Sequence, residues 1–371
     1  MTVIGSLAPT RGSTPCIKRS LWASVVTAAL ALCLFMVPSD QASAGDVATP
    51  RPVALFQVHD TGALWRYTDT PCTANACPGW EIIDRNPRTE AISGHYQRHV
   101  DKKIWIWDGR GRCTGAACPG WTLIDTNPST KDVVAAVDGV YQRHADGKLW
   151  KYTGGGGCTG AGCPGWALID TDPRTESIAV GVGAFSNSDL YMRQVDGKIW
   201  KWDGRSPCTA NACPGWMLID TNPRTKALVA ARGTLFVLHV NGEIWKWDGQ
   251  SRCTATACPG WTLIDKNPST AAIAGGYGGF YQRHADGKIW SWDGRSSCVE
   301  AGCPGWTLID SNPRTKDIVA GGKALFQLQV NGEIWKWDGR SRCSATACPG
   351  WTLLDRNPHT KAITAVDTKF D

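Results

Sequence analysis

One nine-residue phrase, Cys-x-x-x-x-Cys-Pro-Gly-Trp, constrains this chain more than any other feature, because it occurs seven times. The copies end at Trp80, Trp121, Trp166, Trp216, Trp261, Trp306 and Trp351, so the steps between them are 41, 45, 50, 45, 45 and 45 residues. A period in the forties, with strand-like text between glycine-rich turns, marks a β-propeller with one four-stranded blade per repeat. A chain of 371 residues could otherwise divide into two or three domains. Instead the repeats predict one closed all-β domain, a seven-bladed propeller over residues 51–371 with four antiparallel strands per blade.

Each copy of the phrase holds two cysteines with four residues between them, and the redox compartment decides what they do. Lys18 and Arg19 precede an apolar stretch from Leu21 to Pro38, and Ala42-Ser43-Ala44 supplies the small-x-small pattern that signal peptidase accepts. Residues 1–44 therefore read as a signal peptide, and 45–50 as a polar linker. The apolar stretch is near the lower limit for a spanning helix, so no membrane span is expected after cleavage. Cys33 lies between bulky Leu32 and Leu34, which argues against a lipid-anchor site.

Export to an oxidising, extracellular compartment makes the regularly spaced pairs disulfides. The expected bridges, one per blade, are Cys72–Cys77, Cys113–Cys118, Cys158–Cys163, Cys208–Cys213, Cys253–Cys258, Cys298–Cys303 and Cys343–Cys348. Metal would require four thiolates, or thiolates with histidines, to converge, and these pairs have no histidine beside them. Each bridge closes a short loop and stabilises by about 2 kcal/mol on the chain-entropy estimate.

Blade six gives the repeat most clearly. Gly279 to His284 is a short strand, Ala285-Asp286-Gly287 turns, and Lys288 to Trp292 runs back. An Asp-Gly or Asn-Gly pair between strands favours a tight hairpin, since both central residues of a type I′ turn need positive φ. Blade one has Thr61-Gly62 and blade two Asp101-Lys102 at that place, so those two turns are expected to differ. A polar stretch leads to the Cys298–Cys303 loop, Trp306 to Asp310 forms a third strand, Asn312-Pro313 turns, and Asp317 to Ala320 forms a fourth. Closure is expected to bring the first and last blades together edge to edge, removing open strand edges. Gly181 to Asp189 is about five residues longer than its counterparts, an elaborated connector.

Several function classes fall away. The formal net charge is +6, of which Arg11, Lys18, Arg19 and Asp40 in the leader supply +2, leaving +4 with no basic run. No nucleic-acid footprint is indicated. There is no Gly-x-Ser-x-Gly elbow, His-Glu-x-x-His, phosphate-cradling glycine loop or calcium loop, so neither enzyme chemistry nor a cofactor is expected. The aspartates repeated in all seven blades, Asp84, Asp125, Asp170, Asp220, Asp265, Asp310 and Asp355, read as turn supports. Histidine recurs at one strand position as His59, His99, His144, His239 and His284, exchanged for Gln194 and Gln329 in blades four and seven. A metal ligand would not tolerate that exchange, whereas a hydrogen-bonding group would.

Two patterns bear on binding. Nineteen of the 20 tryptophans lie in the repeats, many as Trp-x-Trp or Trp-x-Tyr pairs whose members share a strand face. The second member, as at Trp107, Trp202 and Trp292, stands near the strand end, where a tryptophan can serve as a platform for the apolar face of a sugar. The blades also fall into two classes. Blades two, three, four and six carry Tyr96 with Arg98, Tyr141 with Arg143, Tyr191 with Arg193 and Tyr281 with Arg283. Blades one, five and seven carry Phe56 with Val58, Phe236 with Leu238 and Phe326 with Leu328. The turn changes with the class, from Asp and Lys, as in Asp286 and Lys288, to Asn and Glu, as in Asn241 and Glu243. Either Tyr, Arg and Asp form a buried network, or four interblade pockets offer these groups to a polar ligand.

The Gly-x-Ile-Trp-Lys-Trp hairpins and the (Ala/Gly)-Gly strand ends resemble those of the secreted β-propeller lectins of the tachylectin-2 and tectonin type, and the resemblance covers residues 51–371. It implies a multivalent carbohydrate-binding protein with shallow sites between blades and glycans or glycoconjugates as partners. The other reading of the scaffold is a non-enzymatic structural or protein-interaction propeller with a protein partner. One outcome depends on none of this: thiol titration of the unfolded, mature protein finds almost no free cysteine. A titre near the fourteen repeat cysteines refutes the disulfide assignment.

Overall fold

A computed structural model describes residues 53–182 and 188–367 of the chain. They form twenty-eight strands, β1 to β28 in chain order, arranged as seven four-stranded antiparallel sheets. The signal peptide of residues 1–44 and the linker of 45–50 lie outside the described residues, as do 183–187 of the longer connector. Among the described residues no helix is long and apolar enough to cross a membrane. All seven disulfides join the partners that the spacing predicts.

The strands assemble differently from the order of the repeat. The segment after Asn312-Pro313, β24 (Thr315–Gly321), does not close the sixth blade but opens the seventh, pairing with β25 (Ala324–Gln329). The turn chemistry explains this. Gly321 pairs with Ala324, leaving a two-residue loop that obliges its flanking strands to pair, whereas Asn312-Pro313 carries the chain across to the next sheet. The same shift places the longer connector inside blade four, between β12 (Thr175–Val182) and β13 (Ser188–Gln194).

The rule also decides closure. The last strand, β28 (Thr360–Asp367), pairs with β1 (Val53–His59) from Val53↔Asp367 to His59↔Thr360, completing a first blade whose outer members are β2 (Leu64–Tyr67) and β3 (Trp80–Asp84). The ring is thus closed by a shared sheet and not by two blades meeting edge to edge.

The two unusual turns keep the common backbone. Gly62 has φ +84° and Lys102 has φ +69°, beside +87° for Gly287. The same pair of backbone hydrogen bonds closes all three. Lys102 therefore holds a left-handed conformation at a cost of about 1–2 kcal/mol, while its ammonium meets Glu90 at 2.8 Å.

Neighbouring blades interlock along every seam. The tryptophan of each Cys-Pro-Gly-Trp phrase donates its indole N–H to the outer strand of the preceding blade, from Trp80 to Leu354 O at 2.8 Å round to Trp351 to Ile309 O at 2.9 Å. The first cysteine of each loop donates its backbone N–H to the same strand, as from Cys72 to Leu353 O at 3.0 Å and from Cys158 to Leu123 O at 2.7 Å. Each disulfide loop therefore lies along its neighbour's outer strand and satisfies carbonyls that an open edge would expose.

The repeated aspartates act on two partners. Asp84 accepts the Asn86 N–H in its own turn at 3.1 Å and the Gln97 amide of the next blade at 2.8 Å, and Gln97 in turn accepts the Thr89 hydroxyl. The apolar core is likewise shared, with Phe236 and Leu238 of blade five packed among Ile273, Phe280 and Trp292 of blade six.

Closure by β28 generates a prediction. Deleting residues 360–371 leaves β1 without its inner partner and opens the ring, so the cooperative thermal transition is lost and the protein elutes as aggregate in size-exclusion chromatography. A truncated monomer melting within a few degrees of the intact chain refutes this account of closure.

Candidate functional site

The Tyr and Phe of the two blade classes fill the same slot. Tyr141, Tyr191 and Tyr281 stand edge-on to Trp202, Trp247 and Trp337 of the following blade, with centroids 6.3, 6.1 and 5.9 Å apart. Phe56 and Phe236 meet Trp107 and Trp292 in the same way, at 6.2 and 5.7 Å. Tyr96 packs in one cluster with Tyr152 of blade three. Burial pushes the phenols of Tyr96 and Tyr281 up to about 12, and raises those of Tyr141 and Tyr191 as well.

Trp107, Trp202 and Trp292 are buried, and their indole N–H groups donate to the carbonyls of Gly111, Ser206 and Ser296 at 2.9, 3.1 and 2.9 Å. They anchor the perimeter loops from inside the seam instead of standing on the rim, because the second strand of the preceding blade packs over them. Several seams are further filled from within by a lysine, with Lys246 lying 5.6 Å from the Trp292 ring in one of them. Lys151, held by Asp138 at 2.6 Å, lies 5.5 Å from the ring centroids of both Tyr141 and Trp202. Lys201 does the same over Tyr191 and Trp247.

The arginines have partners that the pattern of blade classes did not reveal. Arg98 meets Glu90 at 2.9 Å, Arg143 meets Asp132 at 2.7 Å and Arg193 meets Glu176 at 2.8 Å, each acid standing on the inner strand of the same blade. Arg98 and Arg143 also donate to the carbonyls of Thr130 and Thr175 in the next blade, at 3.4 and 3.3 Å. Arg283 has alanines on its own inner strand and donates to the His284 carbonyl at 3.2 Å, while Asp317 of blade seven, whose carboxyl is raised by burial, acts on it only at longer range. The turn aspartates are not part of this arrangement. Asp146, Asp196 and Asp286 pair with Lys148, Lys198 and Lys288 in the open. A buried guanidinium requires a counter-charge, so Glu90, Asp132 and Glu176 explain where Arg98, Arg143 and Arg193 are tolerated. The histidine row stacks on tryptophans, as His59 does on Trp65 at 5.5 Å, and burial lowers its pKa values.

What remains open lies elsewhere. A cavity of about 1110 Å³ begins at the central channel, where small residues such as Ala135, Ala230, Gly275 and Gly321 end the inner strands. It runs outward over blades one to three, lined by Arg66, His95, Tyr96, Asp108, Arg110 and Asp138. Its cause is a local shortening. β4 (Thr89–Ser93) and β5 (Tyr96–His99) have five and four residues, where β8 (Thr130–Ala136) and β9 (Gly139–His144) have seven and six. Two residues lost from each strand account for the step of 41 instead of 45. Ser93 pairs with Tyr96 across a Gly94-His95 loop, with φ +57° at Gly94, the pattern of a type II′ turn. A Cβ at Gly94 would sit 3.0 Å from Val366.

The partly buried groups that line the cavity have distinct states. His95 lies edge-on to Phe56 and Trp107, both at 5.5 Å, and burial with the nearby Arg66 holds its pKa below the ordinary imidazole value. Arg66 lies over the Trp107 ring at 5.5 Å and donates to the Gly109 carbonyl at 3.4 Å. One Asp138 oxygen meets Lys151, and the other is buried with no hydrogen-bond partner among the described residues. Among the described residues no three His, Cys, Asp or Glu side chains converge as a metal site would require. The sequence reading missed this site, although the short 41-residue step and a histidine outside the regular row, His95, both signal it.

Comparison with known proteins agrees on architecture. No family model matches the chain, and no curated protein matches it. Among solved structures it is similar to PorZ, a bacterial surface component of the type-IX secretion system of Porphyromonas gingivalis, at 13% identity and a TM-score of 0.50, covering 86% of this chain and 38% of that one. It is also similar to Prp20p from Saccharomyces cerevisiae, at 12% identity and 0.48, over 78% and 81% of the two chains. A third, Sqt1 from Saccharomyces cerevisiae, has 13% identity and 0.44, over 82% and 85%. At such identities the likeness shows the fold alone, and with the seven sheets it places the chain among the seven-bladed β-propellers.

The ion pairs generate a prediction. Arg143→Leu strands Asp132 and costs about 1–3 kcal/mol, read as a lowered melting temperature. Adding Asp132→Ala recovers most of the loss, because blade five already opposes Leu238 with Ala227. Equal, additive losses in the double-mutant cycle refute the pairing.

Proposed function

We propose that the chain is a secreted, non-enzymatic carbohydrate-binding protein whose principal site is the cavity over blades one to three. The observation that carries this reading is the break in the repeat at blade two, which opens a polar, aromatic-edged cleft beside seams packed with aromatic rings. A sugar is recognised by planar polar side chains that fix its hydroxyls and by aromatic rings beside its C–H faces. Asp108 and Arg110 are exposed there, the partly exposed Asp138 lines the cleft beside Lys151, and Tyr96 and His95 supply ring edges. Charges of both signs line the cleft, which suits a neutral ligand rich in donors and acceptors. Seven disulfides and the predicted signal peptide support secretion.

The reading predicts one site per chain, where the Tyr-x-Arg class alone would suggest four. A glycan array identifies the ligand, and calorimetric titration then gives a stoichiometry near one. Arg110→Ala and Asp138→Asn each weaken binding about tenfold, the loss of one charge-assisted hydrogen bond, with an unchanged melting temperature for Arg110→Ala. A stoichiometry near four with Arg110→Ala silent moves the sites to the seams. Binding of a protein and of no glycan on the array favours the interaction scaffold instead.

A further inference from the structure

The face opposite the cavity, where the Asn-Pro turns lie, is divided electrostatically into two halves. Each inner strand begins with Thr and one further residue, and in blade order these second residues are Lys361, Glu90, Lys131, Glu176, Lys226, Ala271 and Lys316. They follow one another around the channel mouth. Lys226 donates to the Ala271 carbonyl at 3.3 Å and Lys316 to the Lys361 carbonyl at 2.9 Å.

In blades two to four most cations of this face are paired with acids, an exception being Lys131, which is exposed and has no ion-pair partner among the described residues. Glu90 holds Arg98 and Lys102, Glu176 holds Arg193, and Asp101, Asp146 and Asp196 hold Lys103, Lys148 and Lys198, all within 3.0 Å. From blade five round to blade one the balance is different. Lys226, Lys316 and Lys361 at the mouth, with Arg224 and Arg314 outside them, are exposed and have no ion-pair partner among the described residues.

None of these cations forms an ion pair with an acid of that arc among the described residues, although Asp317, partly buried beside Lys316, feels that lysine as well as Arg283. Asp286 meets Lys288 at 2.6 Å and Asp60 meets His359 at 2.9 Å. Glu243 and Glu333 each accept a tryptophan N–H at 3.2 Å. Glu90, the acid that acts on Lys361 from blade two, is claimed by Arg98 and Lys102.

We propose that this arc is a second binding surface, for an acidic polysaccharide bearing sulfate or carboxylate groups. Five exposed cations with no ion-pair partner among the described residues, spread over the inner strands and Asn-Pro turns of blades five, seven and one, present a positive surface that a single small anion would not exploit. A polymer would, since each further contact along one chain is intramolecular. Lysine dominates at the mouth, and its ammonium is a point charge with rotatable donors, suited to sulfates and carboxylates at irregular spacing. Single-stranded nucleic acid would need aromatic platforms for its bases. The exposed large apolar side chains of this arc are Val240 and Val330, with no exposed aromatic ring among them. The surface is distinct from the cavity and stands whether or not that cavity binds a sugar.

The test compares two variants of equal charge change. Lys226→Ala/Lys316→Ala/Lys361→Ala removes the arc, and Lys103→Ala/Lys148→Ala/Lys198→Ala removes three cations from the ion-paired half. Size-fractionated dextran sulfate is the probe, neutral dextran the control, and titration at several salt concentrations the readout. The intact protein binds dextran sulfate but not dextran. The arc variant loses at least tenfold in affinity with a shallower salt dependence, while the other variant loses less than threefold. All three proteins melt alike, because the substituted side chains lie at the surface. Equal losses in both variants, no binding by the intact protein, or tighter binding of a DNA oligomer than of dextran sulfate overturns the proposal.

Discussion

The structure depends on a hydrogen bond that leaves the repeat in which it is encoded. The tryptophan ending each Cys-Pro-Gly-Trp phrase donates its N–H to the outer strand of the blade before it, and the adjoining cysteine adds a backbone bond to the same strand. Each bond contributes only about 1 kcal/mol net. Seven repetitions around a closed ring make the contribution collective, and the seam between blades seven and one is bonded like the others. The disulfide's place follows from this. By closing a short loop it limits the conformations of the segment that must lie along the neighbouring edge. A single blade has nothing to lie against, so the phrase acquires its meaning only in the ring.

Buried polar groups are arranged on the same principle of shared seams. Asp84 holds its own turn and reaches Gln97 of the next blade, as Asp310 and Asp355 reach Gln327 and Gln57, so one carboxylate serves a local and a tertiary purpose. Burial raises the carboxyls of Asp170, Asp220 and Asp310 above the ordinary range. A raised folded-state value means that their contribution to stability is greatest below the unfolded value and declines as pH rises through the folded one. The surrounding N–H donors limit this decline by stabilising the charged form.

Function is read from departures from symmetry. The regular seams fill themselves, with tyrosine or phenylalanine against tryptophan, lysine over the rings and arginine against a carboxylate. The shortened hairpin of blade two interrupts this and opens a cleft beside Tyr96 and His95. On the opposite face ion pairs hold the cations Arg98, Lys102 and Arg193 of blades two and four, whereas Lys226, Lys316 and Lys361 of blades five, seven and one have no ion-pair partner among the described residues. A perfect repeat would have neither feature.

The sequence by itself determined the number of blades, the strand content and the disulfide partners, because these follow from local spacing. Cysteines five positions apart, Asp-Gly turns and alternating strands need no knowledge of neighbours. Only the tertiary structure decided which sheet the strand after Asn312-Pro313 would join, since two-residue loops and open turns look alike until pairing is known. The same holds for Trp107, Trp202 and Trp292. Two residues apart on a strand gives a shared face, but whether that face meets solvent or the next blade depends on ring closure. Arg98, Arg143 and Arg193 were visible as a class, while their acids lay on another strand at no fixed offset, at Glu90, Asp132 and Glu176. The cleft was legible only as a step of 41 residues, and its chemistry emerged when the missing residues were seen to uncover two neighbouring blades at once.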